Sequence, residues 1–128
     1  MSFLLRAFLI LHTIFEFGVA LIILFKPTFF FNDIKGISEA GLAAASLGRA
    51  FAFGTLAMGA LTLFMTLRDM VSEVRYVGYG TLMVFHLGMT IGQLINVFNG
   101  LTTVVVVAVH GGFFLIFLIM FLWVATRE

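Results

Sequence analysis

The sequence has no cysteine and little charge, and each shortage excludes a class of protein. Without cysteine the chain has no disulfides, thiolate metal sites, iron–sulfur clusters or cysteine nucleophiles. Charged residues make up 10% of the chain, whereas soluble proteins average about a quarter. The net charge of +1 gives no electrostatic reason to expect a nucleic acid as a partner.

Apolar side chains are abundant: 62% of the 128 residues are hydrophobic, and 17 are phenylalanine. A soluble domain of this size keeps too much surface exposed to hide so many of them. Crossing a bilayer takes about 20 mostly apolar residues in a helix, and four stretches reach that length. The sequence therefore predicts an all-α membrane protein, an antiparallel bundle of four transmembrane helices in a single domain, 1–128, with helices at about 3–25, 41–67, 76–97 and 102–125.

The connections between these stretches set the predicted topology. The connection 26–40 contains the only proline, Pro27, and we expect it to lie along the membrane interface with its phenylalanines in lipid. The other two connections are short, which makes consecutive helices antiparallel. Positive residues are more numerous on the side that holds both ends of the chain, which predicts cytoplasmic termini. That side has Arg6, Arg68, Arg75 and Arg127, and the other has Lys26 and Lys35.

Small residues recur every fourth position in the two middle stretches. They are Ser46, Ala50 and Gly54 in one stretch, and Gly88 and Gly92 in the other. Because small side chains let helix backbones approach closely in membranes, this spacing predicts helix contacts along both stripes.

Ionisable side chains occur inside every predicted span. Each costs about 2.5 to 3.5 kcal/mol to insert, so each requires a partner or a purpose. His12 and Glu16 are four residues apart and share a helix face. The full set of candidates is His12, Glu16, Arg49, His86 and His110, with Gln93 as a neutral companion.

Two interpretations of Glu16 and Arg49 are open. The first is a buried ion pair that fixes how the first two helices pack, with Gln93 and a histidine completing its hydrogen bonds. The second is a binding role, in which Arg49 holds a carboxylate, a quinone carbonyl or a lipid phosphate and Glu16 serves as its resting counter-ion.

The histidines also have two interpretations. They can be hydrogen-bonded packing residues, or His86 and His110 can be axial ligands of a haem, with Gly111 and Gly112 leaving room for a flat ring. A di-iron site requires glutamate three residues before histidine on two helices, and this spacing is missing. Imidazole and carboxylate suit zinc, iron or manganese, so transition-metal binding by His12, Glu16, His86 and His110 is chemically possible, but no metal site is predicted. The sequence also has no catalytic motif, so we do not predict an enzyme.

The chain resembles small bacterial four-helix membrane proteins of the DoxX-like kind. Three segments carry the resemblance: Leu24-Phe25-Lys26-Pro27, Leu47-Gly48-Arg49, and the helix that runs from Phe85-His86-Leu87-Gly88 to Phe98-Asn99-Gly100. The resemblance implies a helix bundle in the bacterial inner membrane, and it suggests quinone as a ligand because some of these proteins are subunits of quinone-linked oxidoreductases.

The sequence leads to three functional hypotheses. The first is an accessory or scaffold subunit of a larger membrane complex, because four helices with short connections leave almost no domain outside the bilayer. The second is a redox bundle that binds quinone or haem. The third is a small transporter or proton-conducting element, for which ionisable residues in the membrane are the usual material.

Overall fold

A computed structural model describes residues 3–26, 41–67, 71–100 and 103–126. The chain divides into two compact units, Met1–Asp69 and Met70–Glu128, and each is described by itself. The prediction of a single domain stays a prediction. Apart from Lys26, the connection expected at the membrane interface lies outside the described residues, as do Arg68 and Arg127.

The described residues form four helices and contain no strand. They are α1 (Phe3–Phe25), α2 (Gly41–Leu67), α3 (Ser72–Phe98) and α4 (Val104–Ala125). Each is long and apolar enough to cross a membrane, α2 through its segment Leu47–Leu67. The predicted all-α class with four membrane-length helices is confirmed, and the chain has the helices of a multi-pass membrane protein.

Two helices begin at different positions from those predicted. α3 begins at Ser72, four residues before the apolar stretch, because polar residues at the end of a span can continue a helix where water still reaches the backbone. α4 begins at Val104, two residues later than predicted. Its first turns are valine-rich but helical, since a strand in lipid would leave its backbone unpaired.

In the first unit α1 and α2 form an antiparallel pair. Thr13 near the middle of α1 contacts Thr62 late in α2, whereas Ala20 and Ile23 late in α1 form a buried cluster with Ala52 early in α2. Rising residue numbers in one helix therefore meet falling numbers in the other, which defines an antiparallel pair.

Gly59 is a point of close approach between these two helices. A Cβ atom added there would lie 2.5 Å from the Phe17 ring and 3.2 Å from Cβ of Glu16. The predicted small-residue stripes behave differently, because an added Cβ at Gly54, Gly88 or Gly92 would meet no atom within 4 Å in the structure described. Within their own helix pairs, these three glycines are therefore not points of close approach, and the predicted helix contacts along the two stripes stay a prediction.

In the second unit α3 and α4 form another antiparallel pair. The Tyr76 and Phe121 rings pack with their centroids 4.4 Å apart, and further along the pair His86 stacks on Phe117 at 5.7 Å. A turn at Asn99-Gly100 follows α3, with the Gly100 amide donating to the Val97 carbonyl. Gly100 has φ of +68°, a conformation that glycine adopts without steric cost.

We predict that Gly59→Ala destabilises the first helix pair. The added methyl group would collide with Phe17 and Glu16, and overpacking of this kind costs about 1–3 kcal/mol. The gain in helix propensity is about 1 kcal/mol, so the net effect is a loss. Gly54→Ala is the matched control, because nothing lies near its new methyl group. Reversible unfolding in mixed micelles measures both variants, and equal stability of the two would contradict the close approach.

Candidate intramembrane polar sites

The first unit contains a buried polar cluster formed by His12, Thr13 and Glu16 of α1 and Thr62 of α2. Each of these residues is at most 6% exposed. His12 and Glu16 lie on one face of α1 because they are one helical turn apart. Thr62 lies opposite them because α2 approaches α1 closely at Gly59, one turn earlier. We call these four residues the His12 cluster.

Contacts within the His12 cluster link a carboxyl group, an imidazole and two hydroxyl groups. Nε2 of His12 lies 3.4 Å from Oε1 of Glu16, and Nδ1 of the same ring lies 3.4 Å from the Thr62 hydroxyl. The hydroxyl groups of Thr62 and Thr13 are 2.8 Å apart. The imidazole contacts are long, and the contact between hydroxyls is at an ideal distance.

The two hydroxyl groups also contact carbonyl oxygens of their own helices. Thr13 Oγ1 lies 2.8 Å from the Leu9 carbonyl, and Thr62 Oγ1 lies 3.0 Å from the Gly59 carbonyl. A hydroxyl group has one proton to donate. One of the two threonines must therefore donate to the other. If Thr62 donates, Thr13 accepts; if Thr13 donates, Thr62 is left to donate to a carbonyl of its own helix or to Nδ1 of His12.

Arg49 does not join this cluster. Its side chain is exposed, and no ion pair between Glu16 and Arg49 is found among the described residues. The helix register explains this result, because Glu16 is level with Gly59 and Arg49 lies ten residues earlier in α2, about 15 Å along the axis. The interpretation of Glu16 and Arg49 as a buried ion pair is therefore wrong, and the binding role of Arg49 stays a prediction. Gln93 accepts a hydrogen bond from Asn96 on its own helix, at 3.3 Å.

The second unit contains a histidine pair, His86 of α3 and His110 of α4. Their Nδ1 atoms are 3.2 Å apart, and their ring centroids are 5.5 Å apart. His86 is fully buried and also packs against Phe113 and Phe117, in the latter case with rings nearly parallel at 9°. Two imidazoles at this distance share a hydrogen bond, so one Nδ1 donates and the other accepts.

This arrangement does not fit the haem interpretation of His86 and His110. Axial ligands lie on opposite faces of a porphyrin. With metal–imidazole bonds of about 2 Å, their nitrogens would be about 4 Å apart with the macrocycle between them. The observed 3.2 Å contact leaves no space for such a ring. Gly111, which was expected to leave room for the ring, faces the Thr90 methyl group. A Cβ atom added at Gly111 would lie 3.7 Å from that methyl carbon.

Sequence reasoning brought some of these residues together and missed others. The spacing of His12 and Glu16 predicted their shared face, and the structure confirms it. The sequence did not single out Thr13 and Thr62, because threonine is common in membrane helices and its hydroxyl usually forms a hydrogen bond with its own backbone. The available sequence signal for this cluster was Thr13, a threonine directly after the intramembrane His12. The aromatic neighbours of His86 could not be selected among seventeen phenylalanines.

The histidine pair predicts two different imidazole tautomers. One of His86 and His110 should carry its proton on Nδ1 and the other on Nε2, because a shared hydrogen bond between Nδ1 atoms requires one donor and one acceptor. Nitrogen-15 spectra of the histidine-labelled protein in lipid at neutral pH measure this directly. His12→Asn removes the third histidine signal, and His110→Asn should return His86 to an ordinary tautomer mixture. Two rings both protonated on Nε2 would contradict the contact.

Comparisons with protein families, curated proteins and solved structures give no functional assignment for this chain. No family model, no curated protein and no solved structure matches it. The chain's own residues are therefore the basis for a proposed function, and the DoxX-like resemblance stays a prediction.

Proposed function

We propose that this chain is an accessory or scaffold subunit of a larger membrane complex. The observation that carries this proposal is that the described residues are almost entirely four membrane-length helices with large apolar side chains on their exposed faces. A protein of this kind acts through its lateral surface, because its described residues offer little structure outside the bilayer. Its partners are lipid and other membrane helices, from different subunits or from further copies of the chain.

The buried histidines support a structural role. His12 contacts a carboxyl group and a hydroxyl group within its helix pair, and His86 contacts His110 within the other. Hydrogen bonds between membrane helices are worth about 0.6 kcal/mol on average and up to 1.7 kcal/mol. Such contacts fix helix register and leave the apolar outer faces available for partners.

The expected location is a bacterial inner membrane with both termini in the cytoplasm. The positive residues Arg6, Arg68, Arg75 and Arg127 favour this orientation. The DoxX-like resemblance of the segments around Lys26, Arg49 and His86 favours the bacterial membrane. A scaffold role fits a small subunit of this type and requires no catalytic residue in the chain.

Photo-crosslinking in native membranes tests the scaffold proposal. A photoreactive phenylalanine analogue replaces Phe53 or Phe64, both exposed on α2, and in a control it replaces the buried Phe117 of α4. We expect the α2 positions to give adducts with other membrane proteins, identified by mass spectrometry, and the Phe117 position to give adducts within the chain. Recovery of only uncrosslinked chain and lipid adducts from both α2 positions would overturn the proposal.

A proton-transfer element is a second candidate, and the His12 cluster favours it. Glu16, His12, Thr62 and Thr13 form consecutive contacts of 3.4, 3.4 and 2.8 Å between groups that each exchange protons. Ionisable residues within membrane spans commonly belong to proton relays. The two long contacts require an approach of a few tenths of an ångström before a proton can move.

Proton flux in liposomes tests this second candidate. Under an imposed potential, the purified protein should acidify vesicles faster than empty liposomes, and Glu16→Gln should reduce that flux at least ten-fold because an amide cannot carry the proton. Glu73→Gln is the matched control, since Glu73 is exposed in the first turn of α3 and lies outside the cluster. Flux equal to that of empty liposomes, or equal flux in Glu16→Gln and wild type, would remove this candidate.

A further inference from the structure

Two polar side chains at the start of α3 have buried atoms without partners. Neither Nε of Arg75 nor the hydroxyl oxygen of Tyr79 has a hydrogen-bond partner in the part of the chain that the structure describes. Tyr79 is 1% exposed, whereas Arg75 is only partly buried. A buried polar atom without a partner is costly, and in lipid it is more so, because no water is present to replace the missing bond.

The two residues share one face of the helix. They are four positions apart, so Tyr79 lies one turn after Arg75. Side chains in a helix lean towards its amino-terminal end, which directs the Tyr79 phenol towards Arg75. Glu73 is two positions before Arg75, about 200° around the helix, and therefore lies on another face.

The position of Arg75 along α3 coincides with a membrane boundary. α3 has 27 residues and is about 40 Å long, longer than the hydrocarbon core of about 30 Å. If its midpoint at residue 85 lies at the bilayer centre, Arg75 is about 15 Å away, where the hydrocarbon ends and the headgroups begin. At this depth the most concentrated anionic group is the lipid phosphate.

We propose that Arg75 and Tyr79 form a binding site for a phosphate oxyanion at the membrane interface. A guanidinium group matches the geometry of phosphate and binds two of its oxygens through parallel hydrogen bonds. The Tyr79 hydroxyl donates a further hydrogen bond to the same group from within the helix pair. The partly exposed side of Arg75 is the entry point. The occupant is a lipid headgroup or a free phosphate ion, both of which present the same chemistry.

Two conservative variants test this site. Tyr79→Phe keeps the ring and removes the hydroxyl, and Arg75→Lys keeps the charge but loses the paired hydrogen bonds. Thr81→Val is the matched control, because it also removes one hydroxyl from α3, an exposed one that donates to the Val77 carbonyl. A hydrogen bond to a charged group is worth enough that each test variant should weaken phosphate binding about ten-fold, and Thr81→Val should not.

Native mass spectrometry and thermal unfolding of the delipidated full chain in detergent measure the binding. Phosphatidylglycerol, phosphatidylcholine and inorganic phosphate are titrated separately, with chloride matched for ionic strength. Saturable stabilisation by a phospholipid alone identifies a headgroup site, and stabilisation by inorganic phosphate as well identifies a site for the free ion. In either case the proposal holds only if Tyr79→Phe and Arg75→Lys lose the effect and Thr81→Val retains it.

The opposite pattern overturns the proposal. It fails if no phosphate compound binds the wild type, if either Tyr79→Phe or Arg75→Lys binds as the wild type does, or if Thr81→Val loses the effect. Without ligand, Tyr79→Phe should be at least as stable as the wild type, since it removes a hydroxyl that has no partner. A marked loss of stability in this variant alone would mean that the hydroxyl already has a structural partner, and it would also overturn the proposal. None of these outcomes bears on the scaffold role.

Discussion

A polar side chain between membrane helices within the hydrocarbon core forms its hydrogen bonds with a neighbouring side chain or with its own backbone, because the hydrocarbon offers no partner. The threonines meet this requirement within their own helices. Thr55, Thr66, Thr81 and Thr90 each donate to a carbonyl three or four residues earlier. The histidines also reach a second helix: His12 contacts Thr62, and His86 contacts His110. These contacts help to fix the register of each pair.

The two helix pairs meet the requirement by different chemistry. In the first unit His12 joins a carboxyl group on its own helix to a hydroxyl group on the next, so groups of three kinds are combined. In the second unit His86 and His110 are chemically identical, and aromatic rings cover the buried member. The first arrangement holds several exchangeable protons in sequence. The second holds one shared proton within an apolar surround, which suits a fixed contact more than a pathway.

Helix number and extent could be predicted from sequence because they depend on a local property, the length of each apolar run. Contacts between helices could not, because they depend on register: a shift of one residue moves a side chain by 1.5 Å and rotates it by about 100°. Arg49 shows the consequence. Its charge made it an attractive partner for Glu16, yet the close approach at Gly59 places the two at different depths. His12 and Glu16 were paired correctly because both belong to one helix, where spacing determines the face.

The contact between Thr13 and Thr62 has a consequence for the order of the structure. Its heavy atoms occupy one arrangement, but the proton between the two oxygens can belong to either residue, with the other hydroxyl turned to its own helix. Two nearly equivalent proton patterns therefore share one set of coordinates. Switching between them reverses the local dipole without moving the backbone. The centre of the first helix pair is thus more polarisable than its apolar composition suggests, and it can adjust to a nearby charge at little conformational cost.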